Sequence, residues 1–263
     1  MSPSLYKARR GGRVARTTRT DPAGPMPIAL SIVVPVKDEA GNAGPLAREI
    51  MAAVGGDNTE IIFVDDASTD RTAEDLLALK GEIAHLRIIR HGRNAGQSRA
   101  IRTGVMAAQG AIIATLDGDG QNDPADLPRL IAMLESDGAT GMVSGVRVKR
   151  QDSAARKWAS RLANAYRQRM LKDTAADSGC GIKAFRREAF LALPYFDHQH
   201  RFMTTLMLRE GYAVRFLPVN HRPRLHGQSK YGNLQRMLVG VADIRGVRWL
   251  QRRYGADPRP KEL

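Results

Sequence analysis

The sequence predicts an α/β protein built on a mostly parallel sheet flanked by helices. Three observations carry this expectation. Apolar bursts of strand length alternate with stretches of helical period between residues 29 and 116, the pattern of successive βαβ units. Asp, Glu, Gly and Ser cluster directly after several bursts, where open α/β sheets place their ligand crevice. The chain has 263 residues, 43% of them apolar, enough for one large domain with a sizeable core.

The elements follow in order. Residues 1–27 hold Lys7, Arg9, Arg10, Arg13, Arg16 and Arg19 among Gly, Ser, Thr and Pro without a hydrophobic period, and read as a disordered basic arm. A strand is expected over 29–36 with Pro35 closing it, then a helix over 43–54, a strand over 60–64 and a helix over 72–79 capped by Ser68 or Asp70. A strand over 86–90, a helix over 97–108 and a strand over 111–116 complete this run. Pro124, with Asp123 before it, opens a helix reaching Leu134. Past about residue 140 come a strand over 141–148, a cationic helix over 153–171, a turn-rich segment at 177–181 and a mixed stretch to Val219. This organises the chain as an arm (1–27), a domain (28–232) whose halves meet near residue 140, and a basic amphipathic helical tail (233–263).

Composition bounds the setting. The lone Cys180 excludes an internal disulfide framework, and the opening residues lack the apolar run of a secretory signal, so a cytoplasmic setting is expected. The best candidate for a membrane span, from Leu234 to Leu250, is interrupted by Arg236, Asp243, Arg245 and Arg248. A net charge of +14 draws polyanions: nucleic acid, anionic lipid headgroups or phosphorylated substrates.

Three segments sit where chemistry is expected. The first strand ends in Pro35-Val36-Lys37-Asp38-Glu39 and the second in Val64-Asp65-Asp66-Ala67-Ser68-Thr69-Asp70; their carboxylates can receive the N–H and O–H donors of a nucleoside, or Asp65 and Asp66 can simply cap the following helix. The third is Leu116-Asp117-Gly118-Asp119-Gly120-Gln121-Asn122-Asp123-Pro124. An Asp-x-Asp turn offers two oxygen ligands to a hard divalent cation, while Gly118 and Gly120 let the backbone bend. The cation would bridge a diphosphate and stabilise charge on a departing nucleotide. A calcium loop of the EF-hand type needs a longer donor series ending in Glu, and position 128 is Pro.

With Asn94-Ala95-Gly96-Gln97 and His226-Gly227-Gln228-Ser229-Lys230-Tyr231 added to those three, five motifs stand in one order. In that order the chain resembles family 2 glycosyltransferases of the GT-A (Rossmann-like) fold, and within them the dolichol- and undecaprenyl-phosphate sugar transferases. The resemblance covers roughly Leu30 to Lys230. It implies a nucleotide-sugar half over 28–140 and an acceptor half over 141–232. It further implies that Pro35, Lys37, Glu39, Val64, Asp66 and Gly118 bind the nucleoside, that Asp117, Asp119 and Gln121 surround Mg²⁺ or Mn²⁺, and that Arg147, Arg224 and Lys230 hold phosphates. Lys37 departs from the family, which often has Tyr or Phe there, and Asp38 from a frequent Asn.

Asp177-Ser178-Gly179-Cys180-Gly181, followed by Lys183, Ala184 and Phe185, looks like the family's acceptor-side motif. A hydroxyl acceptor needs a general base such as Asp177. A phosphate monoester, with a second pKa of about 6, is already anionic and needs cations instead. Such cations surround the 153–171 helix, at Lys149, Arg150, Arg156, Lys157, Arg161, Arg167, Arg169 and Lys172, beside a stripe of Trp158, Leu162, Tyr166 and Met170. A second stripe, Leu234, Leu238, Val241 and Ile244, lies in the tail among arginines. His226 reads as part of a phosphate loop, the other histidines as structural, and Cys180 as a packing residue.

The resulting expectation is an inverting transferase that moves a sugar from a UDP- or GDP-sugar to a polyprenyl phosphate. It would act peripherally at the cytoplasmic face of the cell membrane, on an anionic lipid surface or with a membrane partner protein. A family 2 enzyme using a sugar hydroxyl is the near alternative. A polyanion-binding protein is the alternative from another class, but no nucleic-acid module is recognisable and nucleic acid is not an expected partner. A dehydrogenase would need a Gly-x-Gly-x-x-Gly turn after the first strand, which is absent.

Overall fold

The computed structural model describes residues 27–148, 164–173, 175, 177–223 and 233–253. Its strands are β1 (Leu30–Val36), β2 (Thr59–Asp65), β3 (Leu86–Arg90), β4 (Ile112–Thr115), β5 (Thr140–Arg147), β6 (Lys183–Arg186) and β7 (Ala213–Val219). Its helices are α1 (Ala43–Val54), α2 (Thr72–Leu77), α3 (Gln97–Ala107), α4 (Leu127–Glu135), α5 (164–171), α6 (Arg187–Leu191), α7 (Met203–Arg209) and α8 (Asn233–Arg252). Residues 1–26 of the basic arm and most of the 153–171 helix, including Trp158 and Leu162, lie outside the described residues, as do Arg224, His226 and Lys230.

The strands form one sheet in the order β3-β2-β1-β4-β6-β5-β7. β1 pairs in parallel with both β2 and β4, β2 with β3, and β5 with β7; β6 alone runs antiparallel, between β4 and β5. Every residue of β2 is buried, and its side chains alternate between two cores as the period of a strand demands. Ile61 and Phe63 join Leu46, Ile50, Leu76 and Leu130 beneath α1, α2 and α4. Ile62 and Val64 join Val105, Phe190, Leu206 and Val247 beneath α3, α6, α7 and α8.

Pro35 does not close β1. It stays in register opposite Val64, and the physical reason lies on the other edge. Odd-numbered residues of β1 turn their backbone groups toward β4, as Ile112 N–H donating to Ala29 O shows. The β4 ladder ends at Val33–Thr115, so the missing proline N–H forfeits no sheet bond. Ser68 does not cap α2 either, since its hydroxyl accepts from Asp38 N–H at 2.9 Å. Asp70 does serve the helix start, accepting from Thr72 N–H at 3.0 Å.

The described part of α8 packs on the domain. Ile244 and Val247 are buried in the second core, Gln251 donates to Leu171 O at 2.9 Å, and Asp243 pairs with His198 at 3.1 Å. Ile244 of the expected tail stripe is thus a core residue, and the outward face carries Arg245, Trp249, Arg252 and Arg253. Among the described residues no helix is long and apolar enough to cross a membrane.

A buried ion pair fixes α5 to α7. Arg167 Nη1 donates to both oxygens of Asp173, at 2.7 and 2.6 Å, Arg167 Nη2 donates to Ala175 O, and Thr205 Oγ1 donates to Asp173. Removing one member strands the other in a dry environment. Asp173→Ala is therefore expected to cost about 3–5 kcal/mol in urea unfolding, and a paired replacement of Arg167 and Asp173 by Met and Leu to recover most of that loss.

Candidate active site

An open cavity of about 810 Å³ lies outside the carboxyl ends of β1 and β4. There the connections diverge, β2 and β3 lying on one side of β1 and β4 on the other, which makes it the switch point of the sheet.

The β1 and β2 ends interlock on one wall. Asp38, in the left-handed region at φ 50°, accepts from Thr69 N–H at 2.7 Å, and Glu39 N–H donates to Thr72 Oγ1 at 2.8 Å. Glu39 Oε2 accepts from Asn42 Nδ2 at 2.8 Å. Lys37 lines the cavity, its ammonium donating to Ala67 O at 2.9 Å and lying 3.5 Å from Asp38 Oδ2.

Asp66 also lines the cavity, with its oxygens engaged by protein donors. It accepts from Ala95 N–H at 2.8 Å and Gly96 N–H at 2.7 Å, and His91 Nδ1 lies 2.8 Å away. In this role it ties the turn before α3 to the end of β2. Asp65, one residue earlier, accepts from Ser68 N–H at 2.8 Å, a turn bond that lies before α2 begins at Thr72, so Asp65 does not cap that helix. Val64 is not on the cavity wall. It is fully buried under α3, because the strand alternation that turns Asp65 and Phe63 one way turns Val64 the other.

The loop after β4 brings Asp117, Gly118, Asp119 and Gln121 to the cavity. Asn122 Oδ1 accepts from Asp117 N–H at 3.0 Å and Asp119 Oδ1 from Gln121 N–H at 3.1 Å, so the turn is held by its own side chains. Gly118 is required by space. A Cβ there would stand 2.5 Å from Val36 Cγ1 and 2.9 Å from Pro35 O. Gly120 is required by its φ of 72°.

Gln97 Nε2 donates to Asp117 Oδ1 at 2.7 Å. Burial, and then the neighbouring Asp119 charge, push the Asp117 carboxyl up to about 6. Among the described residues no group of three His, Cys, Asp or Glu side chains is placed to hold a metal. Two carboxylates are nonetheless the protein share usual for Mg²⁺, which takes its other ligands from substrate phosphates and water. A divalent cation would also relieve the repulsion that raises Asp117, so the residues present fit such an ion.

The opposite wall and floor come from residues 177–183. Arg147, at the end of β5, grips Asp177 through two parallel bonds, Nε to Oδ2 at 2.6 Å and Nη2 to Oδ1 at 2.7 Å. The candidate base and a candidate phosphate ligand are therefore one bidentate pair. Gly181 lies directly against Asp117, whose carboxylate occupies the space a Cβ would need. Lys183 opens β6, is 6% exposed, lines the cavity and donates to Cys180 O. Cys180 is buried, and burial pushes its thiol up, consistent with a packing residue.

The segment after β7 closes on the Asp119 loop. Arg222 N–H donates to Gln121 O at 2.8 Å, Gln121 Nε2 to Arg222 O at 3.4 Å, and the Arg222 guanidinium reaches both Glu49 and Asp123 at 2.6 Å.

The sequence places Gln97 and Lys183 in motifs without giving either side chain a role, and reads His200 as structural, yet all three line the cavity. A lysine inside the otherwise apolar run Ile182–Phe185 was the available signal for Lys183. For His200 there was none, since its neighbours come from α3.

Gly118→Ala should lose about 1–3 kcal/mol of stability by overpacking, read from chemical denaturation. In metal-free protein, ¹³C-detected titration should find the Asp117 carboxyl near 6 and lower in Asp119→Asn. Since folding raises this pKa, the contribution of Asp117 to stability is fully present below the ordinary carboxylate value and is lost as pH rises through the folded one.

A model of glycosyl transferase family 2 matches residues 31–193. Dodecaprenyl-phosphate galacturonate synthase of Rhizobium johnstonii is 35% identical over 237 residues, covering 88% of this chain and 69% of that protein. Undecaprenyl-phosphate 4-deoxy-4-formamido-L-arabinose transferase of Edwardsiella ictaluri is 35% identical over 218 residues, covering 82% and 66%. The chain thus spans about two thirds of the length of these curated relatives. Among solved structures, glucosyl-3-phosphoglycerate synthase of Mycobacterium tuberculosis in complex with phosphoglyceric acid has a TM-score of 0.64 at 18% identity, over 85% of this chain and 80% of that one. The same enzyme with Mg²⁺ and UDP has a TM-score of 0.64 over 90% and 83%. At that identity the likeness speaks for the fold, a GT-A-like sheet flanked by helices. With a family model over more than half its length and relatives at this identity, the chain belongs to glycosyl transferase family 2.

Proposed function

We propose that this protein transfers a sugar, with inversion, from a UDP- or GDP-sugar to a polyprenyl phosphate. The observation that carries the reading is the Asp117–Asp119 pair at the switch-point cavity, faced across it by the Arg147–Asp177 ion pair and Lys183. The nucleoside would lie along Pro35, Lys37, Glu39 and Asp66, and its diphosphate over Gly118. Asp117 and Asp119, with Gln121 beside them, would hold Mg²⁺ or Mn²⁺. A bound divalent cation neutralises the diphosphate and stabilises the charge on the leaving nucleotide.

The relatives named above act on dodecaprenyl and undecaprenyl phosphates, and the structural neighbour binds UDP with Mg²⁺ or Mn²⁺. Both support the reading. The state of Asp177 supports it further against a sugar-hydroxyl acceptor. A carboxylate clamped bidentately by arginine is a poor proton acceptor, whereas it orients Arg147 for an anionic acceptor. Arg147, with Arg224 and Lys230, would supply the cations that a phosphate needs. Rate enhancement then rests on positioning and on fixed charge.

A lipid acceptor would put the enzyme at a membrane surface, in this reading on the cytoplasmic face. The outward face of α8 suits peripheral contact with anionic lipid or a membrane partner protein: Trp249 is 57% exposed, with the Arg253 guanidinium 5.9 Å from its ring centroid and Arg245 and Arg252 on the same side.

Calorimetry with UDP and GDP, each with Mn²⁺ or Mg²⁺, tests the donor site. One nucleotide should bind in a metal-dependent way that Asp117→Ala/Asp119→Ala abolishes, and affinity should weaken as pH falls through about 6, where Asp117 takes up a proton. Binding of neither nucleotide under any metal condition would sink the assignment. Asp177→Asn should lower transfer to a polyprenyl phosphate through loss of Arg147 alignment, about 10- to 100-fold, and transfer should not show the pH dependence of a lost general base.

A further inference from the structure

His200 lies beside the N-terminus of α3, although it precedes α7 in the chain. Its backbone N–H donates to Ser98 Oγ at 3.2 Å, and its Nδ1 lies 2.7 Å from the same oxygen. These two contacts fix the proton positions. Ser98 is 5% exposed, and a buried hydroxyl hydrogen needs an acceptor. Among the described residues, His200 Nδ1 is the acceptor within reach of it. Ser98 Oγ therefore accepts from the His200 backbone and donates to Nδ1, which leaves the imidazole proton on Nε2. His200 itself is on the cavity wall.

The surroundings favour an anion. Burial first, and then the charges of Arg201, Lys183 and His198, hold the His200 imidazole well below its usual range, neutral at pH 7. A neutral imidazole is a donor that does not demand a carboxylate partner. Lys183, whose ammonium has Cys180 O as acceptor, carries further N–H donors at the same cavity floor. The carboxylates that act on Lys183 are Asp117 and Asp177, and Asp177 is already paired with Arg147.

We propose that His200, in the tautomer set by Ser98, donates its Nε2–H to an oxygen of the acceptor's phosphate monoester, with Lys183 supplying the adjacent positive charge. This rests on the proposed function for the nature of the acceptor. The diphosphate of the donor is served by the Asp117–Asp119 side, so the two anions occupy separate binding groups within one cavity. Ser98 acts as a positioning residue and His200 and Lys183 as binding residues.

Two measurements test it. Long-range ¹H–¹⁵N spectra of the wild-type imidazoles should show His200 neutral and protonated on Nε2 at pH 7, with the pattern lost in Ser98→Ala; an imidazolium or an Nδ1–H form would overturn the assignment. In transfer assays with a short-chain polyprenyl phosphate, His200→Phe should raise the acceptor KM about 10- to 100-fold and leave metal–nucleotide affinity unchanged by calorimetry. His200→Gln, which keeps an N–H near Nε2, should recover much of the loss, and Lys183→Met should raise the same KM. An unchanged acceptor KM in His200→Phe, or a loss confined to nucleotide affinity, overturns the inference while the wild type remains an active transferase. A wild type that binds metal and nucleotide yet does not use a polyprenyl phosphate defeats the proposed acceptor, and the inference with it.

Discussion

The site depends on one strand running against the rest. β6 enters the sheet antiparallel between β4 and β5, so its beginning, not its end, lies at the carboxyl ends of the parallel strands. That reversal delivers residues 177–183 to the cavity floor, directly under the loop that follows β4. The contact has little tolerance. Gly181 gives up its side-chain space to the Asp117 carboxylate, and Thr115 Oγ1, two residues before Asp117, donates to Gly181 O at 3.1 Å. A parallel β6 would bring the other end of that strand to the cavity, and Asp177 and Lys183 would be far from Asp117.

Charge is balanced within the cavity without being cancelled. Arg147 and Asp177 satisfy each other in a half-dry wall, the arrangement in which a bidentate pair is strong and geometrically specific. Asp117 and Asp119 instead stand close enough to repel each other. Gln97 gives Asp117 a neutral hydrogen bond, and Lys183 acts on it from the floor, but the carboxylates still repel. A repulsion only partly offset costs stability, and binding sites are where such costs are retained.

The remaining walls are loops that hold one another. Asp38 is held by Thr69, Asp66 holds the turn at Ala95 and Gly96, and Arg222 bridges Glu49 and Asp123. Each of these bonds joins segments separated by about 30 residues or more. Cavity walls built this way are pre-organised, since ordering has already been met during folding rather than on ligand binding.

What the sequence determined by itself is what local chemistry dictates. Alternating apolar periods announced the βαβ units, five short motifs carried the resemblance to the family and put Asp66, Asp117 and Asp119 on the candidate list, and that resemblance added Arg147 and Asp177. The motifs that follow β1, β2 and β4 are legible because each is a contiguous turn at a strand end, where spacing alone fixes the chemistry. Only the tertiary structure decided which of those side chains face the cavity and which face one another. Strand alternation took Val64 into the core, the absence of a β4 partner let Pro35 remain inside β1, and packing drew Ile244 of the tail inward. The pairing of Arg147 with Asp177, separated by 30 residues, and of Ser98 with His200, separated by 102, has no signature in spacing. Such contacts arise from how elements distant in the chain are folded together, and no local pattern encodes that.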